Sequence, residues 1–519
     1  MKLLTSSVYT FSDLIRDNFL YVDKTEYIWE LVRIPKAMYF LSRPRRFGKS
    51  LTVSTLEAIF NGEKELFKGL SIYNKDYDWK KYPVIHLDFA DRKNESPDAL
   101  EESLQVKLSV CAEKHGVCLK TNNAQEQFAE LIRRLGAQEK IVILIDEYDK
   151  PILDNIGKPE VAAIQDKLSN FYSVIKATEP FQRFVFMTGV SKFTHVSVFS
   201  KLNNLTDITQ NQQYGCIMGY TQEELEANFG DRIDRVAKQQ DISRQELQGK
   251  LKQWYNGYCF HEKSVSVYNP VSIAQFFNND GEFRNYWFDT GTPSFLLELA
   301  KKTNFDLEKA LTEPVSGMAF KSYEIENLDT LALLVQTGYL TIKGTEQEFG
   351  KTFYRLGFPN LEVEEAFNTY LLSNYAMIPK EAVDSLSVNL AKLVRTGDVN
   401  AFMDLLSGLF KQIPYTIHVK NEKYYQTIFF TLFLSIGLHI EAESCINKGR
   451  IDAVASNGDW TYLLEFKLNK SAELALAQIK DREYFGKYLH TGKRIMMIGV
   501  NFDSQTGEIT GWQKEELTP

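Results

Sequence analysis

Cysteine and histidine are sparse and poorly spaced in this 519-residue chain. The five cysteines (Cys111, Cys118, Cys216, Cys259 and Cys445) are an odd set without a CxxC pair, and the seven histidines form no HxxxH or HExxH. Neither a disulfide framework nor a zinc site is indicated. Long apolar runs are missing as well: the richest, residues 428–440, falls short of the roughly 20 residues a membrane helix needs. No charged-then-apolar leader with a small-residue cleavage site opens the chain, so a cytoplasmic protein without membrane contact is expected. Positive charge is not in surplus either. Sixty Lys and Arg against 68 Asp and Glu give a formal charge of -8, which excludes a protein that coats nucleic acid by bulk charge and leaves only local polyanion contacts. Internal repeats and low-complexity segments are absent. What is present is a globular composition, 44% hydrophobic and 25% charged, with length for about three domains of roughly 100–200 residues each.

From residue 38 onward short apolar runs alternate with longer helical periodicities, the signature of a parallel sheet with crossover helices. Candidate strands are residues 38–41, 84–89, 141–145 and 184–187, and the spacing predicts a helix over Val161–Ala177 with Ile164, Leu168, Phe171 and Ile175 on one face. This is the ground plan of a nucleotide-binding α/β fold. Past Gly189 come a helical segment from Thr221 and an aromatic stretch, Trp254-Tyr255-Asn256-Gly257-Tyr258-Cys259-Phe260, suited to a lid or connector. Between residues 329 and 358 a helix-like run precedes strands at 339–342 and 352–356, which suggests a winged-helix-like unit. A last unit opens near Asn421 with an apolar helix, followed by strands around 439–443, 451–455, 462–466 and 494–499.

Arg43-Pro44-Arg45-Arg46-Phe47-Gly48-Lys49-Ser50 lies between the first strand and a helical run, where a phosphate loop belongs. Backbone N–H groups around Gly48, the Lys49 ammonium and the Ser50 hydroxyl would hold the β- and γ-phosphates of ATP and Mg2+. Arg43 stands where GxxxxGK[ST] has its first Gly, so a basic turn capped by Gly-Lys-Ser is the competing reading. Residues 141–145 are an apolar strand ending in Asp146 and Glu147, one acid to bind Mg2+ and the other to orient and deprotonate the attacking water. Solvated turn acids fit that setting poorly. The next strand ends in Thr188-Gly189-Val190-Ser191-Lys192, where Thr188, Ser191 and Lys192 either sense the γ-phosphate or are ordinary cap and loop residues. Arg45 and Arg46 stay open between phosphate clamps, nucleic-acid contacts and solvated side chains.

Near the carboxyl end, Asp452 on one strand and Glu465 and Lys467 on the next can share a face at period two. Two carboxylates beside a Lys make an oxygen-ligand site for Mg2+ or Mn2+, with Lys467 placed to steady the attacking water or the phosphorane charge, as phosphodiester hydrolysis requires. A cross-strand salt bridge on an exposed face is the competing reading. Gln478 and Tyr484 follow on the next helical stretch. From Lys448 to Arg494 there are nine basic and six acidic residues, a local positive excess in an acidic chain.

The first set of motifs resembles that of bacterial and archaeal AAA-ATPase-like proteins: RPRRFGKS at 43–50, IDEYDKP at 145–151, TGVSKF at 188–193, LNNL at 202–205 and the opening FLYVDKT at 19–25. In that family the missing first Gly is normal. The carboxyl-terminal set resembles the PD-(D/E)XK nuclease superfamily through Asp452, Glu465, Lys467 and Gln478, with Glu422 in the preceding helix; Ile451 replaces the PD proline, and the superfamily includes inactive members. The resemblances imply an ASCE/AAA-like P-loop NTPase domain with lid (1–290) and a PD-(D/E)XK-like α/β domain (416–519); the stretch between them (291–415) is expected, from its own pattern, to be a helical or winged-helix-like connector. The function they imply is an ATP-binding ATPase fused to a metal-dependent nuclease acting on DNA or RNA, in defence against foreign nucleic acid or mobile-element control, with ATP-dependent homo-oligomerisation. The alternatives are a signalling or scaffolding NTPase whose inactive carboxyl domain only binds nucleic acid or protein, and a protein remodeller, for which no aromatic-hydrophobic-Gly pore loop is visible.

Overall fold

A computed structural model describes the chain apart from residues 92–93, 193–201, 203, 289–295, 297–298, 301–302, 304, 318–328, 376–378, 413–421, 437–438, 447–448, 457–458 and 518–519. The chain divides into two compact units, Met1–Phe295 with Val315–Val363, and Leu296–Pro314 with Glu364–Pro519. The stretch expected as a connector is thus shared between them.

The first unit is built on β1 (Ala37–Ser42), β2 (Val84–Asp88), β3 (Ile141–Asp146), β4 (Gln182–Gly189) and β5 (Thr206–Asp207), all parallel in the order β2-β3-β4-β1-β5. The four expected strands are there, each within two residues of its expected ends. Every residue of β3 and β4 is buried, as central parallel strands covered on both faces must be, which is why they read as unbroken apolar runs. Helices Lys49–Phe60, Pro97–Lys114, Ala124–Gly136 and Val161–Ala177 form the connections. Ser96 and Asn123 cap two of them by accepting from Ala99 N and Glu126 N. On Val161–Ala177 the predicted face is the buried one, and Phe171 stacks on Phe128 of the neighbouring helix at 4.7 Å.

Helices Gln222–Gln239, Arg244–Tyr255 and Pro270–Asn278 then enclose a separate core around Phe229, Ile233, Leu251 and Phe276. A capping box between Thr221 and Glu224 starts the first of them. Helix Thr330–Gln336 precedes the antiparallel pair β7 (Thr341–Glu348) and β8 (Lys351–Gly357), joined by the short β6 (Val315–Ser316) into a three-stranded sheet. The strand expected at 339–342 meets only the first two residues of β7, which starts at Thr341 and runs on through a polar, half-exposed sequence, while the strand expected at 352–356 falls one residue inside each end of β8.

The second unit carries a five-stranded sheet, β9 (His439–Ile446), β10 (Gly449–Ser456), β11 (Trp460–Leu468), β12 (Arg494–Phe502) and β13 (Ile509–Leu517), in the order β13-β12-β11-β10-β9. Only β11 and β12 are parallel, and the crossover such a pair requires is helix Ala472–Asp481, capped by Ser471. This helix lies close on β12 because position 499 is Gly: a Cβ there would come within 2.4 Å of the Ala472 carbonyl and 2.6 Å of Leu476 N. β13 was not expected from the sequence. It is a half-exposed edge strand rich in charge, and lacks the apolar run that marks the others. Among the described residues no helix is long and apolar enough to cross a membrane.

Candidate functional site

In the first unit, β1 hands over at Ser42 to the loop that ends in Gly48, whose φ of 91° is available to glycine at little cost, and helix Lys49–Phe60 begins at the next residue. Lys49 is 5% exposed, and its ammonium donates to the carbonyls of Arg43 (3.2 Å) and Pro44 (3.0 Å). Burial lowers its pKa, opposed by the charges of Glu147, Asp146 and Asp149. Asp146, at the tip of β3, is 2% exposed; burial pushes its carboxyl up to about 6 despite the Ser50 hydroxyl bonded to it and the nearby Lys49. The backbone N–H of Glu147 also donates to it (3.0 Å). Glu147 is half-buried in a left-handed conformation, φ 51°.

Lys49, Ser50 and Glu147 border a cleft of about 440 Å3, with Asp146 set behind the Ser50 hydroxyl and not on the cleft wall, a volume within the roughly 300–1,000 Å3 typical of small-molecule sites. Arg45, Arg46, Gly48, Lys49, Ser50, Asp88, Glu147 and Asp149 line its polar part, while Val8, Leu20, Met218 and Val271 supply apolar wall. One part suits phosphates and a divalent cation, the other a flat apolar ring.

Thr188 and Ser191 reach the same end of the sheet without lining the cleft. Thr188, wholly buried, donates to the Leu41 carbonyl at 2.7 Å and so ties β4 to β1. Ser191 gives both its N–H and its hydroxyl to Asp149, at 2.7 Å each, and Val190 N–H joins at 3.1 Å. Lys192 pairs with Asp207 of β5. Asp149 itself was missed in the sequence, although it stands three residues after Asp146; burial raises its pKa against those bonds. Arg43, in place of the first Gly, is 1% exposed, donates to the carbonyls of Ser42, Thr209 and Tyr214 at 2.9 Å each, and lies 4.1 Å from the Phe260 ring. Burial pulls its pKa down to about 9. It braces the loop from behind.

In the second unit, the strand alternation and the helix after β11 gather four predicted residues. Glu465 is 1% exposed; its Oε1 accepts from Lys467 Nζ (2.8 Å) and from Gln478 Nε2. Its other oxygen faces the Asp452 N–H at 3.4 Å, while the Asp452 carboxylate accepts from Phe466 N–H at 2.7 Å. Tyr484 OH lies 3.5 Å from Gln478 Nε2. A buried Glu among these donors is no exposed salt bridge. Two carboxylates with a Lys and a Gln offer oxygen ligands suited to a hard divalent cation and a charge to oppose a phosphate. The side chain of Glu422 lies outside the described residues. Two members of the basic excess are tied elsewhere: Lys480 to Glu515 and Arg494 to Glu516, both on β13.

The two units thus define an α/β protein with a phosphate-loop sheet and a nuclease-type mixed sheet. Residues 6–199 match the family described as "Predicted AAA-ATPase", and residues 420–512 match the PD-(D/E)XK nuclease superfamily. A curated relative from Azotobacter chroococcum mcd 1, described as an uncharacterized protein in the vnfD 5' region, is 35% identical over 529 residues, covering 99% of each chain. The chain belongs to the AAA-ATPase-like proteins that carry a carboxyl-terminal PD-(D/E)XK nuclease-superfamily domain.

Proposed function

We propose that the protein binds and hydrolyses ATP with Mg2+ in the first unit and cleaves nucleic acid with Mg2+ or Mn2+ in the second. The observation that carries the reading is the convergence, in each unit, of a lysine with two carboxylates: Lys49, at the start of the helix after the loop, with the consecutive Asp146 and Glu147 at the tip of β3, and Lys467 with Glu465 and Asp452 from neighbouring strands. In the first unit Gly48, Lys49 and Ser50 hold the phosphates, Ser50 and Asp146 hold the cation, and Glu147 directs water; Arg45 and Arg46 neutralise phosphate charge. The buried seats of Thr188 in β4 and of Ser191 just beyond its end favour a supporting role for both. In the second unit Asp452 and Glu465 hold the cation, Lys467 steadies the nucleophile, and Gln478 orients Glu465.

The test is ATP turnover by the purified full chain, read beside cleavage of DNA and RNA. Turnover that stops on chelation, and cleavage that needs added metal, are the expected results; a chain that neither binds nor hydrolyses ATP contradicts the first half.

A further inference from the structure

The stretch from Arg43 to Phe47 contains no glycine, so the shape of the phosphate loop is imposed by its neighbours. Phe47 is held edge-on by Tyr258 (4.8 Å) and Phe260 (5.5 Å). Gly338, at φ 87°, backs onto Pro44, where a Cβ would come within 2.6 Å of Cγ. The indole N–H of Trp287, a residue 6% exposed, donates to the Arg45 carbonyl at 3.0 Å. A peptide is planar, so fixing the Arg45 carbonyl on Trp287 turns the Arg46 N–H to the opposite side, and Arg46 lines the cleft.

Trp287 also reaches away from the loop. Its backbone N–H donates to Glu362 Oε1 at 2.7 Å, and the other oxygen of that fully buried carboxylate accepts from Ser272 Oγ at 2.8 Å. A buried carboxylate is costly to leave unpaired, so its partners are held firmly. Glu362 lies in the first turn of helix Leu361–Tyr375, and that helix continues past Val363, where the first unit ends, into the second.

We propose that Trp287 is a positioning residue that presets the phosphate loop through the Arg45 carbonyl and carries the loop's nucleotide-dependent state through Glu362 to helix Leu361–Tyr375. This rests on the reading that the loop binds ATP. A phosphate drawing on the Arg46 N–H changes the orientation of the one peptide whose carbonyl, that of Arg45, accepts from Trp287, which supplies the differential contact that coupling requires.

The test is backbone hydrogen exchange on the full chain, with and without Mg2+ and ATP. Trp287→Phe keeps an aromatic ring in the cluster, at some loss of volume, and deletes the indole donor. In the parent, ATP slows exchange both over residues 43–50 and over helix Leu361–Tyr375. In Trp287→Phe the loop is still protected, with ATP bound roughly 2- to 10-fold more weakly for the lost hydrogen bond, and the helix is no longer protected at saturating ATP. Glu362→Gln leaves the indole in place and also loses the helix response. A purely structural Trp287 would lower the melting temperature and leave both protections, which overturns the proposal. So does equal helix protection in parent and Glu362→Gln, the variant that decides the matter if Trp287→Phe does not fold. If ATP protects nothing in the parent, the ATP-binding reading itself has failed and the proposal falls with it.

Discussion

Lys49 and Glu147 line one cleft with opposite charges, so their loss has different consequences. Lys49→Ala removes the cation that faces the phosphates and is expected to abolish ATP binding. Glu147→Gln keeps size and polarity but no longer draws a proton from water; ATP stays bound while turnover drops by orders of magnitude. Equilibrium binding of a fluorescent ATP analogue, paired with phosphate release, separates the two, and a Glu147→Gln protein that turns over like the parent contradicts the role. Asp146 gives a pH signature. Its carboxyl titrates at about 6 instead of near 3.8 because it is buried. A raised pKa means that the folded state takes up this proton first as pH falls. In metal-free protein the group's contribution to stability therefore grows as pH drops through about 6 and is fully gained below the unfolded value. Cation binding runs the other way, since the neutral acid is a poor ligand. Mg2+-assisted ATP binding should weaken below about pH 6 in the parent more steeply than in Asp146→Asn, as calorimetry across that range would show.

At the scale of elements, much was legible because the strands of the first sheet are short apolar runs bounded by motif residues, and the phosphate loop and acid pair sit at their ends. Asp452, Glu465, Lys467 and Gln478 were readable from period-two spacing and the following helix. What escaped depends on contacts far apart in sequence. Arg43 reads as a defective glycine, yet its partners at Thr209 and Tyr214 lie more than 160 residues away. Trp287 and Glu362 carry no motif, and β13 carries no apolar run. Gly499 looked like an ordinary strand residue, though it pairs with Glu465 in register and lets helix Ala472–Asp481 approach. Gly499→Ala is expected to cost about 1–3 kcal/mol in urea denaturation through overpacking, and to loosen Gln478 from Glu465. Wild-type stability with Ala at 499 would mean that the helix approach is not set there. Glu465→Ala would strand the Lys467 and Gln478 donors, so Glu465→Gln is the cleaner probe of chemistry.

On the scale of the whole molecule, two units with separate lysine and carboxylate clusters sit on one chain, and the proposed function requires both to be active. ATP is expected to promote self-association, because many ATPases of this sheet order complete the site with an arginine from a neighbouring subunit; light scattering that gives a monomer in every nucleotide state contradicts this. The nuclease assignment is tested most directly on supercoiled plasmid incubated with the full chain and Mg2+ or Mn2+, with and without ATP. The account predicts metal-dependent conversion to open-circular and linear forms by the parent, and an intact plasmid with Asp452→Asn although that variant hydrolyses ATP at the parental rate. A plasmid left intact by the parent under both metals, or cut equally by Asp452→Asn, would contradict it.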